Sequence, residues 1–388
     1  MGASNLTTGT LWNTLLNSDR GPIETTGALS VAEGRCQGRL VRVMLTDRSI
    51  SGGSFGVEEC NALSRHLARS IEDAIPVALV LDSGGARLDS GLAGLAAFRR
   101  MFQTALDVRL SGVSMSALIL RNCFGGASML AMLCSKRGAL KSARIGMSGP
   151  AIIENLSGKS DLDSSDAAAV SALFGASARE EAGAIDYVFD DHVSVGDALF
   201  RLAETAQQVP PDLREQHVRL ANRLRSAGVA LPNEAEIDAG DAFRNGFPVG
   251  ARDIWLLADK AISLPTGQAM QLIIDCPGQA ATRNDESLVL SEYVTHLAMC
   301  LRARSVDESD IAIHIRGESA GGIYVALAAG ANTVSADSQA TVRVLPSTAV
   351  QTVLRRTLPD ETIDDARNEG AVDHIVYRDN SAREYQKG

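Results

Sequence analysis

Apolar and polar positions along the chain recur in one order: a short buried strand, a glycine turn, then a helix. Between Gly27 and Leu45 the alternations ALSVAEG and GRLVRVMLTD have the period of two that predicts strands. Val57 to Ala74 carries Leu63, Leu67 and Ile71 on one face, with Glu58 and Glu59 in its first turn, and predicts a helix that Pro76 ends. VALVL at 77–81 predicts a buried strand that stops at the turn Asp82-Ser83-Gly84-Gly85-Ala86-Arg87-Leu88, and Leu92 to Leu106 reads as helix. An apolar run from Ala117 to Leu120 then turns through Asn122-Cys123-Phe124-Gly125-Gly126 into Ala127 to Cys134, which is small and apolar on every face. Such units in succession predict a parallel sheet with helices outside it, an α/β fold.

The flanks are more polar. Residues 1 to about 25 predict a short helix with Leu11, Leu15 and Leu16 on one face, then a turn at Gly21-Pro22. Residues 155–178 are polar and then helical, and Arg179 to Asp191 (REEAGAIDYVFDD) predicts a helix end, a glycine and a short strand. Residues 195–227 form a charged amphipathic region broken at Pro210-Pro211, and 228–242 are rich in Pro, Asn, Gly and acid. The domain boundary falls there.

The pattern then returns. FPVGARDIWLLADKAI (247–262) predicts a helix like that at 57–74, and QLIID (271–275) a strand ending at CPGQAATR, where the first half has VLDSGGAR. IAIHIRGESAGGIY (311–324) repeats ALILRNCFGGASM in kind, with Gly321-Gly322 in the place of Gly125-Gly126 and Asp275 in that of Asp82. RNEGAVDHIVYRD (367–379) echoes REEAGAIDYVFDD almost position by position. Four landmarks in one order predict an internal duplication. The expected division is an N-terminal extension over 1–26, a first domain over 27–227, a linker over 228–242 and a shortened second domain over 243–388.

Composition narrows the class. A chain of 388 residues that is 45% hydrophobic can bury a large core, and with aromatics at only 4% that core is built from Ala, Leu, Val and Ile. A formal charge of −10 argues against a nucleic-acid or anionic-membrane surface, while leaving room for a basic cluster at one mouth. Six scattered cysteines with no CxxC pair point to neither a zinc ribbon nor a disulfide framework, so no metal is expected. The N-terminus lacks a basic region followed by an apolar run, and no stretch approaches a membrane span, so a soluble cytoplasmic protein is expected.

The glycine turns hold the candidate chemistry. Glycine lets another group approach the backbone, and the free amides of the following helix start can stabilise an oxygen that gains negative charge. The plain alternative is a tight strand-to-helix packing turn. Gly158-Lys159-Ser160 ends like a phosphate-binding loop, but Ile153 stands where that loop needs glycine. Gly317-Glu318-Ser319-Ala320-Gly321 fits a hydrolase nucleophile elbow, with Asp364 and His374 following in triad order. Against it, Ser319 stands where Cys123 does in the first copy, and His374 where Tyr187 does.

VALVLDSGGARLDSGLAGL, NCFGGASMLAMLCS and ARIGMSGPAIIE resemble the β subunit of biotin-independent malonate decarboxylase, and LIIDCPGQAATRNDES and GESAGGIYVALAAGAN resemble its γ subunit. The resemblance runs from about 27 to 378, as if β and γ were fused in one chain. It implies two crotonase-like (ClpP-like) β–β–α spiral domains, shared with the carboxyltransferase components of acyl-CoA carboxylases. It also implies decarboxylation of a malonyl thioester through a thioester enolate, without metal. The thioester would arrive on a phosphopantetheine-type arm of an acyl carrier protein or CoA, with no cofactor bound covalently to this chain. A separate acyl-transferring subunit and self-association are further implied.

By motif position Gly125 and Gly126, with Gly85 and Ala86, would line the first oxyanion hole, and Gly321 and Gly322 the second. Ser148 and Gly149 would lie beside the first. Gln279, Arg283 and Glu286 match polar positions of the γ motif, and Arg283 is the candidate cation for the departing carboxylate, or else half of an ion pair with Glu286. The γ subunit has an aromatic where Ala281 stands, a His-containing glycine-lysine loop where this chain reads Val342-Arg343-Val344-Leu345-Pro346-Ser347, and Lys-Ala-Met where it reads Glu318-Ser319-Ala320. These departures fit a divergent decarboxylase acting on another carrier-bound malonyl group, as in polyketide-type biosynthesis, or a second half that serves only as scaffold. The rival functions are the carboxyltransferase component of a biotin-dependent carboxylase, a carrier-binding scaffold, and the Ser319 hydrolase.

Overall fold

A computed structural model of the protein describes residues 12, 16, 20–206, 208–231, 240–355 and 361–377. Leu11 and Leu15 of the expected N-terminal helix, most of the linker, and Arg378 and Asp379 lie outside these residues.

Two sheets organise the chain. The first has eight strands: Glu24–Thr26 (β1), Leu29–Cys36 (β2), Arg39–Thr46 (β3), Val77–Ser83 (β4), Met115–Phe124 (β5), Lys136–Leu140 (β6), Arg144–Gly146 (β7) and Tyr187–Phe189 (β8). β1, β2 and β3 form an antiparallel meander; from β3 onward every pairing is parallel. The second has five strands, Met270–Cys276 (β9), Ile311–Ala320 (β10), Thr333–Asp337 (β11), Thr341–Arg343 (β12) and His374–Val376 (β13), all parallel. No described residue supplies this sheet with a counterpart of the meander.

The duplication is visible in register. β4 and β5 pair regularly to Leu81 and Ile119, slip, and resume at Ser83 opposite Cys123. β9 and β10 pair to Ile274 and Ile315, slip, and resume at Cys276 opposite Ser319. Each slip is capped by an aspartate: Asn122 N donates to Asp82 Oδ1 at 3.2 Å, and Glu318 N to Asp275 Oδ1 at 3.1 Å. The strands therefore run on through Asn122–Phe124 and Glu318–Ala320, which the sequence reads as turn, because the slip gives them new partners in β7 and β12. The helix expected over 247–262 begins only at Ala251, since Val249 is held by Gly278 O and Ala280 N and Gly250 caps the helix.

Each glycine turn opens a helix of small residues, Gly126–Leu133 and Gly321–Gly330. Apart from Gly126, which lines the cavity described below, every residue of both helices is buried, as their largely apolar faces require. The first packs on the long helix Leu290–Val306 of the second half, and the second on Gly91–Leu110 of the first half. Thr295 Oγ1 donates to Met129 O across one contact, and Arg99 Nε to Ala328 O across the other. This reciprocal crossing brings the two turns together. Among the described residues, no helix is long and apolar enough to cross a membrane.

Candidate active site

A cavity of about 700 Å³ lies between the halves. Gly125, Gly126, Gly321, Gly322, Ala86, Ser148, Gly149 and Gln279 all line it. Gly125 and Gly321 have φ of +55° and +64°, a backbone shape that disfavours any side chain and turns the strand abruptly into its helix.

In the first half the turn is open. Gly125 N is held by Gly146 O and Met147 O, both at 3.1 Å. Phe55 bridges Ala86 through the neighbouring groups, with Phe55 N donating to Gly85 O and Arg87 N to Phe55 O. That leaves the amides of Ala86 and Gly126 without an acceptor among the described residues, both at the cavity wall. Gly85 itself is not in the lining. A Cβ there would sit 2.6 Å from Phe124 O and 3.0 Å from Gly126 N, so glycine is needed for the two backbones to meet. Two adjacent unpaired amides can hold an oxygen that takes on charge.

The second half has the same backbone and a different occupant. Gln279 corresponds to Ala86, since Gly278 and Ala280 repeat with Val249 the bonds that Gly85 and Arg87 make with Phe55. Its side chain reaches over the turn, and Gly322 N donates to Gln279 Oε1 at 3.1 Å. The remaining wall from this half is Ala281, Val325, Val344, Leu345, Pro346, Ala349 and Val353, with the two glycines. Among the described residues it contributes no charged side chain. The cations in the lining, Arg48 and Arg87, come from the first half. Arg87 is tied to buried Glu59, which accepts its Nη2 at 2.5 Å, and Arg48 reaches Asp82 at 3.4 Å.

Arg283 is a correction. It begins the short helix Arg283–Ser287, exposed and outside the cavity, with its backbone amide donating to Asp161 Oδ2 at 2.8 Å. Burying Leu288 and Glu286 turns the opposite face of that helix inward. Glu286 pairs instead with Arg179 at 3.6 Å, both fully buried. It accepts from Met147 N at 3.1 Å and Ser148 N at 2.5 Å, and so fastens the first-half loop carrying Ser148 to the second half. Burial pushes the Glu286 carboxyl up to about 7, against the pull of Arg179 and the two amides, and brings the Arg179 guanidinium down to about 10.

A raised carboxyl pKa contributes stability that is fully present below its unfolded value of 4.5 and lost as pH rises through about 7. Glu286 therefore contributes about 3 kcal/mol that is lost on that rise, and Glu286→Gln, which cannot titrate, is expected to lose less stability over it than the wild-type protein does. Urea midpoints of both proteins at about pH 5 and about pH 8 check this; equal pH dependence would count against it.

The hydrolase arrangement does not form. Ser319 is buried in β10, five residues along from His314, the residue level with Ser335 and hence with exposed His374. That separates Ser319 from the level of His374 by roughly 16 Å. Among the described residues no group of three or more His, Cys, Asp or Glu could hold a metal. Sequence reasoning missed Phe98, Met129 and Met147, which line the cavity floor, and the Ser51–Gly56 loop at its mouth. The glycines of that loop were a usable signal: a Cβ at Gly53 would lie 2.2 Å from Asp82 O.

Two sheets, one mixed and one parallel, each with a slipped strand, a glycine turn and a small-residue helix crossing into its twin, define an α/β protein of the crotonase-like carboxyltransferase fold. The chain belongs to the carboxyl transferase domain family, whose sequence model matches residues 16–213. Residues 244–369 match the model of the malonate decarboxylase gamma subunit. The methylmalonyl-CoA carboxyltransferase 12S subunit of Propionibacterium freudenreichii subsp. shermanii is 29% identical over 147 residues, 38% of this chain and 28% of that subunit. The acetyl-coenzyme A carboxylase carboxyl transferase subunit beta of Fusobacterium nucleatum is 32% identical over 122 residues, 31% of this chain and 40% of the subunit. The matched region thus spans less than half the length of either relative. A Pseudomonas malonate decarboxylase hetero-tetramer in complex with malonate shares the fold, with a TM-score of 0.51 at 23% identity over 60% of this chain and 94% of that one.

Proposed function

We propose that this protein decarboxylates a malonyl thioester to the acetyl thioester. The observation that carries the reading is the unoccupied pair of amides at Ala86 and Gly126, facing a cavity whose far wall is uncharged. The thioester carbonyl oxygen accepts from these two amides. The bond between the α-carbon and the carboxyl carbon breaks, its electron pair moves through the α-carbon onto that oxygen as an enolate, and CO2 leaves. A proton from water on the α-carbon completes the acetyl group. Charge thus develops where donors are already aimed and vanishes where the wall is apolar. The match of residues 244–369 to the malonate decarboxylase gamma subunit supports this choice of acyl group.

The arm that delivers the malonyl group is of phosphopantetheine type, on CoA or an acyl carrier protein, and we assign its phosphate to Arg48, an exposed cation in the cavity lining. Carboxyl transfer, the activity for which the relatives are named, is the rival reading, and against it Gly322 N, the counterpart of Gly126 N, already donates to Gln279 Oε1. Incubation with malonyl-CoA or malonyl-loaded carrier, with avidin present to remove biotin proteins, is expected to release CO2 and leave the acetyl thioester by mass. CO2 release that avidin abolishes would favour carboxyl transfer. Binding of loaded carrier with no release would favour a scaffold.

A further inference from the structure

Gln279 stands where the first half has Ala86, and that difference decides what the second turn can bind. A backbone N–H can only donate, so the atom 3.1 Å from Gly322 N is the carboxamide oxygen. The orientation of the amide is therefore fixed by chemistry. The chain's own oxygen fills the place that an acyl oxygen would take by analogy with Gly126. The other end of the same group, Nε2, donates to no described residue, and Gln279 lines the cavity. A Cβ on Gly321 would come within 3.1 Å of Oε1 and 3.5 Å of Nε2, so the glycine turn is also what leaves room for the side chain.

We propose that Gln279 converts the second turn from an oxyanion hole into a reader of the substrate's carboxylate. This rests on the decarboxylase reading for the identity of the acyl group. Gly322 N holds Oε1, the held carboxamide cannot rotate freely, and Nε2 presents one N–H to the carboxylate of a thioester whose carbonyl sits at Ala86 and Gly126. The other side chains of that wall are aliphatic, so the carboxylate receives from it only neutral donors and no cation. Those donors are Nε2 and the Gln279 amide, which like that of Ala86 has no acceptor among the described residues. That is enough to orient it and too little to replace its hydration. A cation would hold the ground state and oppose loss of the charge; a single carboxamide selects malonyl over acetyl without that penalty. Gln279 is thus a positioning residue that determines which acyl group is recognised.

Gln279→Glu separates this role from a structural one. A glutamate keeps an acceptor for Gly322 N and so preserves any purely structural bond, but it removes the donor and sets a negative charge against the carboxylate. The readout is affinity for malonyl-pantetheine and for acetyl-pantetheine, the arm common to CoA and carrier protein, taken from initial binding in rapid mixing. Wild type is expected to prefer malonyl, and Gln279→Glu to lose malonyl affinity by roughly 10- to 100-fold with acetyl affinity unchanged. In turnover the same loss falls on KM, with kcat within about threefold. Wild-type malonyl affinity in the variant, an equal loss for both thioesters, or no malonyl preference in wild type would each overturn the proposal. A wild-type protein that prefers malonyl but releases no CO2 removes the decarboxylase reading and leaves this one standing.

Discussion

Gly126→Leu is expected to lower kcat/KM on a malonyl thioester by about a thousandfold or more, with the fold retained. One donor withdrawn from such a hole costs about 3 kcal/mol, roughly a hundredfold or more in rate. Leucine keeps the backbone N–H, so here the substitution acts by displacing that donor and crowding the cavity. A Cβ at Gly126 would lie 2.3 Å from Phe98 Cζ and 2.7 Å from Cε2, so even alanine forces the start of the helix or the ring to move. Gly126 has ordinary helical φ, unlike Gly125, so the obstacle is space alone and not backbone strain. That gives the prediction a second arm. Gly126→Ala should be severely impaired, and Gly126→Ala with Phe98→Leu should recover part of the loss, since the smaller side chain vacates the contested volume. Phe98→Leu alone supplies the baseline. Circular dichroism and a denaturation midpoint establish that the variants are folded. A fully active Gly126→Leu protein would remove the first turn from the chemistry.

The second large effect is on stability. Glu292 is fully buried and accepts from three arginines: Arg137 at 3.1 Å, Arg223 at 2.7 Å, and Arg219. Burial alone would raise its pKa, but Arg137, Arg223 and Arg219 outweigh that and hold the carboxyl far below the usual carboxylate range. Glu292→Ala leaves three guanidiniums facing one another with only Asp186, 3.8 Å from Arg137, as counter-charge among the described residues, and is expected to destabilise by about 3–5 kcal/mol. The sign of the pH dependence follows. A depressed carboxyl pKa contributes stability present above its unfolded value of 4.5 and lost as pH falls through the folded one. Wild type should therefore weaken in acid by more than the variant does. Urea melts of both proteins across the acid range measure it, and a variant as stable as wild type at neutral pH would refute the role given to Glu292.

Much of this site was legible in the order of residues because local chemistry wrote it. The strand, glycine turn and small-residue helix at 116–134 and 311–330 have signatures that depend on neighbours in sequence, namely strand-length apolar runs, glycines at sharp turns and a helix with no polar face. Repetition of the whole set made the pairing of Gly125-Gly126 with Gly321-Gly322 readable as well. Arg283 misled for a physical reason. The sequence placed it on the right loop, but the direction of its side chain is set by which face of a five-residue helix buries Glu286 and Leu288, and that choice is made by Arg179 and the Met147–Ser148 amides, more than a hundred residues away.

The sequence by itself determined the parallel α/β class, the duplication, the family resemblance and the glycine turns, since these rest on hydrophobic period and on backbone shapes that only glycine readily adopts. Only the tertiary structure decided how the two turns differ in their hydrogen bonding. Whether an amide at a turn is free or filled depends on what crosses it in space. Ala86 is too short to reach Gly126 N, while Gln279 is long enough to cover Gly322 N at 3.1 Å. The floor of Phe98, Met129 and Met147 comes from three separate segments of the first half that meet only in the folded chain. A hydrogen bond across a turn and a cavity between two halves are properties of distance, and residue order fixes distance only for near neighbours.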